Sequence, residues 1–333
     1  MQPRISVILP VFNGRRFLPG AVRSVLAQSL LPCELIVVDD GSTDGSLEEL
    51  GHLPPAPFPV RVLRQANAGQ SAARNAAARE ATGDYLAFLD QDDAWYPRHL
   101  EELVAPLVAD PAVGWAYCDF DEMDLDGNLV TRAFIQAAGV AHPKRTVYEC
   151  VAGDLMVLPS ASVMRRDAFE QAGGFDEALC GYEDDDLFVR FFRLGWEHVF
   201  VDRPLLRFRI HTASSSTSAR FLDSRLRYAE KLAAILPDDP RMFRYYVSDA
   251  IAPRFFLTSL DDYVRARSAR DWEGARLALR SVNHFAALRR RSLRLRWKLL
   301  WIQRPRLFRL LMTLNDRLPY RTRFIRNPTV TLR

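Results

Sequence analysis

The chain has 333 residues, 48% of them hydrophobic and 26% charged, and a net charge of +4 at pH 7. This composition provides an ample core and excludes an intrinsically disordered or fibrous chain. The four cysteines are scattered without a Cys-x-x-Cys pair, so we expect reduced thiols and neither a disulfide framework nor a zinc site. No apolar run approaches the roughly 18 residues of a membrane-spanning helix, and the N-terminus does not resemble a signal peptide. These features favour a cytoplasmic protein.

Strands and helices are predicted to alternate over most of the chain. Apolar and β-branched runs predict strands at Ile5–Phe12, Glu34–Val38, Val60–Leu63, Tyr85–Leu89 and Val113–Phe120. Apolar residues at helical spacing predict helices at Phe17–Gln28, Ala72–Ala81, Pro97–Val108 and from Asp186 onward, and then at Leu226–Leu236, Arg244–Leu260 and Trp272–Leu288. The β-α-β order of the first part implies parallel strands joined by crossover helices. Residues 130–160 carry only a weak pattern.

Acidic residues follow two of these strands directly. Asp39 and Asp40 end the second strand, and Asp90, Asp92 and Asp93 end the strand that begins at Tyr85. Ligands of open α/β sheets bind beyond the carboxyl ends of the strands, so we expect these residues to lie on one edge. Clustered carboxylates repel each other, and Asp-x-Asp offers the hard oxygen ligands that suit Mg²⁺ or Mn²⁺. Taken alone, such a motif is more often a turn or a helix cap than a metal site.

A second acidic run, Glu183–Asp186, precedes an apolar helical pattern. Acids at a helix N-terminus interact favourably with the helix dipole, but four in succession exceed what capping needs. Trp95 and Tyr96 follow the Asp-x-Asp closely and are candidates for contact with a ligand bound at this edge.

The charge is unevenly distributed. Residues 289–333, here named the basic tail, contain 14 Lys and Arg and one acid, so the tail carries +13 and residues 1–288 carry −9. Two apolar stripes share helical faces in the tail, formed by Leu293, Trp297, Leu300 and Trp301 and by Leu307, Leu310, Leu311 and Leu314. Short apolar stripes beside arginines predict a helix lying on an anionic membrane surface. Packing on the protein itself or on a second subunit stays open, and nucleic-acid binding is the weakest alternative.

Seven short motifs occur along the chain, namely Ser6–Asn13, Glu34–Asp44, Asn67–Asn75, Gly83–Asp92, Gly174–Glu177, Glu183-Asp184 with Asp186-Leu187, and Arg209–His211. Their order resembles that found in family-2 glycosyltransferases, the inverting enzymes of the GT-A fold. Each motif alone is weak, but seven in register make the chain resemble this family over about residues 4–216. The basic tail carries no matching motif.

The resemblance implies an α/β fold of the GT-A class, which is a Rossmann-like, mostly parallel sheet flanked by helices, followed by a C-terminal helical region. The implied catalytic domain is 1–218, with a nucleotide-sugar half of about 1–115 and an acceptor half of about 116–218. Residues 219–333 would form the helical region that ends in the basic tail.

The resemblance also implies roles for individual residues. Those implied to bind the nucleotide sugar are Pro10, Val11, Phe12, Asp40, Asn67, Gly69, Arg74, Asp90 and Gln91. Those implied to bind the metal are Asp92, Asp90 and His211, with Asp92 the more direct ligand and Asp90 nearer the ribose. Asp184 matches the general base, and Glu183 is the alternative within the pair.

The implied activity is an inverting, metal-dependent glycosyl transfer of the hexosyltransferase type. A nucleoside-diphosphate sugar, most commonly a UDP-sugar, would give its sugar to an acceptor hydroxyl on a lipid-linked or cell-envelope glycan. The protein would then work at the inner face of the cell membrane, without nucleic acid, and a homo-oligomer stays open. A nucleotidyltransferase is one alternative, although its Gly-rich basic phosphate loop is poorly matched by Phe12–Arg16. A nucleotide-sugar-binding membrane scaffold without catalysis is the other, disfavoured by the presence of Asp184 and the Asp-x-Asp.

Overall fold

The computed structural model describes residues 2–210 and 219–288. The chain forms two compact units, of which the first contains the residues up to Cys150 together with Asp154–Tyr228. Among the described residues, the second contains Val151–Gly153 and those from Ala229 to Leu288. His211 and the basic tail lie outside the described residues, so the predictions made for them remain predictions.

Within the described part of the chain, nine strands form one mixed sheet in the first unit. They are β1 (Ile5–Val11), β2 (Glu34–Asp39), β3 (Val60–Arg64), β4 (Tyr85–Phe88), β5 (Ala94–Trp95), β6 (Val113–Met123), β7 (Leu129–Thr131), β8 (Ser162–Arg165) and β9 (Glu197–Arg209). The strand order is β3-β2-β1-β4-β8-β6-β9-β5, and β7 pairs with β6. β1 to β4 are parallel, whereas β8 runs antiparallel to both β4 and β6. The five strands predicted from the sequence are thus found, as β1, β2, β3, β4 and β6, and β5, β7, β8 and β9 are added to them.

The helices of the described residues are α1 (Leu18–Leu26), α2 (Gln70–Glu80), α3 (His99–Ala109), α4 (Phe134–Ala137), α5 (Val147–Ala152), α6 (Arg166–Ala172), α7 (Glu183–Leu194), α8 (Ala219–Ile235), α9 (Ala252–Ser268) and α10 (Trp272–Leu288). A π-helical turn, Val247–Ile251, leads into α9. None of these helices is long and apolar enough to cross a membrane. In the second unit, α9 and α10 pack against each other around Phe255 and Phe285, whose rings are 5.5 Å apart.

The central strands are buried on both faces, which explains why their sequences are mostly apolar. All seven residues of β1 are buried. Ile5, Val7 and Leu9 pack in one core with residues of α1 and α3, and α2 packs against β1 and β2.

Parallel pairing brings the ends of three strands to the same edge of the sheet. Val11 at the end of β1 pairs with Asp39 at the end of β2, and Leu89, just after β4, donates its N–H to the Ile8 carbonyl of β1 at 2.9 Å. Phe12, Asp40 and Asp90 therefore leave the sheet side by side, as the strand-end rule predicts.

Candidate active site

A cavity of about 650 Å³ opens at this edge of the sheet. Its volume lies in the range of small-molecule sites. All of the candidate residues in the described part of the chain line it, namely Pro10, Val11, Phe12, Asp40, Asn67, Gly69, Arg74, Asp90, Gln91, Asp92, Glu183 and Asp184.

Gln91, the middle residue of the Asp-x-Asp, forms two hydrogen bonds with the backbone of Phe12, the residue that follows β1. The Phe12 N–H donates to Gln91 Oε1 at 2.9 Å, and Gln91 Nε2 donates to the Phe12 carbonyl at 3.1 Å. A Cβ at Gly14 would clash with the Gln91 amide, so a glycine is needed there for this close approach. These two hydrogen bonds fix the backbone of Phe12. Its side chain lines the cavity and is 45% exposed.

Asp40 is buried and organises the loop before α2. Its Oδ1 accepts hydrogen bonds from Gln65 Nε2 and the Ala68 N–H, both at 2.8 Å, and its Oδ2 accepts one from the Gly69 N–H at 2.9 Å. A buried carboxylate that accepts three hydrogen bonds is a fixed acceptor. Asp40 therefore shapes the wall of the cavity that includes Asn67 and Gly69.

Arg74 of α2 joins the two acidic groups of the cavity. It is 2% exposed, and its guanidinium lies 2.5 Å from Asp90 Oδ1 and 3.3 Å from Glu183 Oε1. Burial by itself would lower the pKa of Arg74, but the negative charges of Asp90 and Glu183 raise it above its ordinary value. The planar guanidinium holds both carboxylates at once, which a lysine could not do in the same way.

The carboxylates of Glu183 and Asp184 have different surroundings: that of Glu183 is fixed by hydrogen bonds, and that of Asp184 is more accessible. Glu183 is buried, and its carboxylate accepts hydrogen bonds from Gln70, from Arg74 and, at 2.6 Å, from the Gly181 N–H. Asp184 is half-buried and lines the cavity. Burial, followed by the charges of Glu183 and Asp185, raises the pKa of Asp184 well above the ordinary value of an aspartate.

The turn that carries the Asp-x-Asp is tied to β9 by Arg209. The Arg209 N–H donates to Asp93 Oδ1 at 3.0 Å, and its Nε donates to the Asp92 carbonyl at 2.8 Å. Its Nη1 donates to the Asp124 carbonyl at 2.7 Å. Asp93 is buried, and its Oδ2 has no hydrogen-bond partner among the residues that the structure describes. Burial and the nearby charges of Asp92 and Asp90 raise the pKa of Asp93.

We expect Arg209→Lys to lower kcat/KM about tenfold, because the single nitrogen of lysine lacks the separate Nε and Nη1 donors that reach the Asp92 and Asp124 carbonyls. Arg207→Lys is the matched control, since Arg207 lies on the same strand, does not line the cavity, and stacks over the Tyr96 ring at 5.4 Å. Initial rates with both variants, beside a melting curve for each, test this. Equal losses of activity in the two variants would mean that the hydrogen bonds of Arg209 to the two carbonyls do not contribute to catalysis.

Sequence reasoning gave no role to several residues that line the cavity, including Gln70, Asp154 and Arg209. Gln70 lies one helical turn before Arg74, so its i,i+4 spacing was an available signal. Asp154 lies in the weakly patterned region and offered none. Trp95 and Tyr96 do not line the cavity: the Trp95 indole donates to the Ser160 carbonyl at 2.7 Å, and the Tyr96 hydroxyl donates to Asp121 Oδ2 at 2.7 Å.

The family model "Glycosyl transferase family 2" matches residues 6–173, about half of the chain. The chain belongs to glycosyl transferase family 2. This confirms the resemblance drawn from the seven motifs, and the glycosyltransferase motifs within the matched range supply the residues on the β1, β2 and β4 edges of the cavity.

Similar proteins that are named as glycosyltransferases support the assignment of this chain to the family. An uncharacterized glycosyltransferase of Nostoc sp. is 31% identical over 219 residues, which cover 65% of this chain and 67% of the relative. TuaG of Bacillus subtilis, whose name refers to teichuronic acid biosynthesis, is 35% identical over 137 residues, covering 41% of this chain and 54% of TuaG.

A solved structure confirms the GT-A fold of this glycosyltransferase. Residues 1–349 of Staphylococcus aureus TarS, in complex with UDP-GlcNAc, superpose with a TM-score of 0.61 at 17% identity, covering 85% of this chain and 80% of that one. The chain spans 50% of a longer TarS structure. At this identity the likeness concerns the fold.

Proposed function

We propose that the protein is an inverting, metal-dependent hexosyltransferase that moves a sugar from a UDP-sugar to an acceptor hydroxyl of a lipid-linked or cell-envelope glycan. The observation that carries this proposal is that one cavity is lined by two distinct acidic groups, the Asp-x-Asp after β4 and Asp184 of α7. A single in-line displacement needs this division: a cation neutralises the leaving diphosphate, while a carboxylate takes the proton of the attacking hydroxyl.

The β1 and β2 side of the cavity is proposed to bind the nucleotide. Phe12 offers an exposed aromatic ring, and its backbone is fixed by hydrogen bonds to Gln91. Asp40 accepts hydrogen bonds from the neighbouring loop before α2. The TarS structure was solved with UDP-GlcNAc, which supports UDP as the nucleotide here. Pro10, Val11, Asn67 and Gly69 complete this wall.

The residues present fit a divalent cation that is shared with the substrate. No group of three or more His, Cys, Asp and Glu residues is arranged to hold a metal within the described residues. Mg²⁺ is commonly bound by one or two carboxylates together with substrate phosphates. As the family resemblance implies, we propose Asp92 as the main ligand and Asp90, whose Oδ1 accepts from Arg74, as a lesser one, with His211 as the further proposed ligand. Mg²⁺ or Mn²⁺ bound there would neutralise charge on the diphosphate.

Asp184 is proposed as the general base, and Glu183 as the residue that positions it. Three hydrogen bonds engage the Glu183 carboxylate, whereas Asp184 lines the cavity. Asp154 lies close enough for its charge to raise the pKa of Asp184 further. A cavity end with these acids favours a neutral acceptor hydroxyl over an anionic group.

The proposed division of the chain stays a catalytic domain of residues 1–218 and a helical region of residues 219–333. TuaG carries a name from cell-envelope polysaccharide synthesis, and this supports a membrane-bound acceptor. The basic tail is proposed to contact the membrane surface.

We expect one UDP-sugar from a panel of nucleotide sugars to raise the melting temperature with Mn²⁺ and to be hydrolysed slowly without acceptor. A ligand at 100 times its Kd stabilises the folded state by about 2.7 kcal/mol, which a melting curve resolves. The anomeric configuration of the transferred sugar, read by NMR, tests inversion. Stabilisation without any hydrolysis would favour a binding scaffold, and pyrophosphate release from a nucleoside triphosphate and a sugar phosphate would favour a nucleotidyltransferase.

A further inference from the structure

A turn in the second unit presents two large apolar side chains to solvent. In Pro240–Arg244, here named the apolar turn, Met242 is 59% exposed and Phe243 is 84% exposed. Phe243 is the most exposed of the large hydrophobic residues in the described part of the chain. We propose that the apolar turn inserts into an anionic lipid surface.

The apolar turn is held in shape by hydrogen bonds at its base. The Asp239 N–H donates to the Arg244 carbonyl at 2.7 Å, and the Arg244 N–H donates back to the Asp239 carbonyl at 3.0 Å. The Arg241 N–H donates to Asp239 Oδ1 at 3.0 Å. Phe243 has φ 54°, a left-handed conformation that is uncommon for a bulky residue. Backbone in such a conformation persists only where the surroundings fix it, so the outward position of Phe243 is built into the turn.

The charges around the apolar turn complement an anionic surface. Arg241 and Arg244 flank the apolar pair and are exposed. The two neighbouring acids are half-buried and are used within the fold. Asp238 Oδ1 accepts from the Val247 N–H at 2.7 Å, and Asp239 binds the base of the turn. The cationic groups therefore point outward beside Met242 and Phe243, and arginines at a membrane surface are attracted to anionic headgroups.

The size of the apolar turn favours a bilayer over a protein partner. A stable protein interface buries about 800 Å² on each partner, whereas one phenylalanine contributes about 150–250 Å² at most. Insertion of an aromatic and a methionine side chain into the interfacial zone of a bilayer needs no complementary pocket. The inference does not depend on the basic tail, which the sequence separately predicts to lie on such a surface, nor on the proposed reaction.

The test is flotation of the full-length protein with vesicles of phosphatidylcholine containing about one third phosphatidylserine, compared with Met242→Ser/Phe243→Ser. We expect the double variant to bind about tenfold more weakly, because two apolar side chains no longer leave water. The difference should persist in high salt, where attraction of exposed charges is screened. Leu257→Ser is the matched control, since Leu257 of α9 is 58% exposed and lies outside the turn, and we expect it to bind as the wild type does.

Melting curves exclude misfolding as the cause, because exposed substitutions leave the melting temperature almost unchanged. Equal flotation of the wild type and the double variant would overturn the proposal. A change in mass by light scattering in the double variant alone would also overturn it, and would assign the apolar turn to contact with a second copy of the chain.

Discussion

Asp184→Asn is expected to lower kcat by roughly 10²–10⁴, the usual worth of general base catalysis, while the Kd of the donor stays unchanged. The reason is that Asp184 is proposed to act on the acceptor, whereas Phe12 and the loop that Asp40 holds are proposed to bind the nucleotide. The amide cannot take the proton of the acceptor hydroxyl, but it leaves the donor wall untouched. Single-turnover rates with acceptor, and donor titration without it, measure the two effects separately.

The stability of the same variant provides a check on the fold. Burial and two neighbouring charges raise the pKa of Asp184, so its charged form costs stability at neutral pH, and this cost is relieved as the pH falls toward the raised pKa. Replacing the carboxylate with a neutral amide removes the cost. We therefore expect Asp184→Asn to melt at or above the wild-type temperature, so that its loss of activity cannot be attributed to unfolding.

Glu183→Gln is the matched control for Asp184→Asn. It removes a buried charge that Arg74 contacts, and a broken buried ion pair leaves the remaining charge uncompensated, at a cost of about 3–5 kcal/mol. The second partner of Arg74, Asp90, moderates this cost. Glu183→Gln should accordingly melt lower and bind the donor more weakly, with a smaller loss of kcat. A stable but inactive Glu183→Gln beside an active Asp184→Asn would reverse the assignment of the base.

The pH profile tests the base without relying on a single substitution. An unperturbed aspartate has a pKa of about 3.9, and that of Asp184 lies well above its ordinary value. Activity requires the ionised base, so kcat/KM should fall on the acid side at a pH above that of an ordinary carboxyl group. This acid limb should be absent from the residual activity of Asp184→Asn.

The ends of the strands could be predicted from the sequence, because an apolar run followed by acidic residues is a local pattern. β2 and β4 are largely apolar runs, and acidic residues, Asp40 and Asp90, follow at their ends. Parallel pairing then brings Asp40 and Asp90 to one edge whatever the details of the loops. The helix predicted from Asp186 is found as α7, but it begins three residues earlier, at Glu183, so the acidic run forms its first turn.

Contacts between distant segments could not be predicted. Arg74 meets Asp90 and Glu183, which are 16 and 109 residues away, and no pattern in α2 announces either partner. Trp95 follows the Asp-x-Asp as a residue that contacts a sugar would, yet pairing of β5 with β9 buries it in the core.

The roles of the four acids at the start of α7 can be distinguished only by their tertiary contacts. Glu183 is bound by Arg74, and Asp186 by Arg190 at 2.8 Å. Asp184 lines the cavity without being held in this way by Arg74. The sequence shows four similar carboxylates, and their different neighbours are what separates a positioning residue from a candidate base.

Asp92→Asn is expected to abolish turnover, with a loss of roughly 10³-fold or more, since a cation at the diphosphate contributes several kcal/mol to the transition state. The substitution removes one charge from a cavity residue and keeps the Asp92 carbonyl that accepts from Arg209. The fold should therefore survive, and the melting temperature without ligands should stay close to that of the wild type. Excess chelator should abolish turnover of the wild type to a similar extent.

The direct readout of this prediction is cooperation between metal and nucleotide. In the wild type, UDP together with Mn²⁺ should raise the melting temperature more than the two separate effects combined, because Asp92 and the diphosphate would both hold the proposed ion. In Asp92→Asn this excess should disappear while UDP alone still binds. Asp126→Asn is the control, since Asp126 is an exposed acid paired with Arg16 at 2.9 Å, and such surface pairs contribute little. Full turnover of the wild type in excess chelator, or an undiminished excess stabilisation in Asp92→Asn, would rule out Asp92 as the metal ligand.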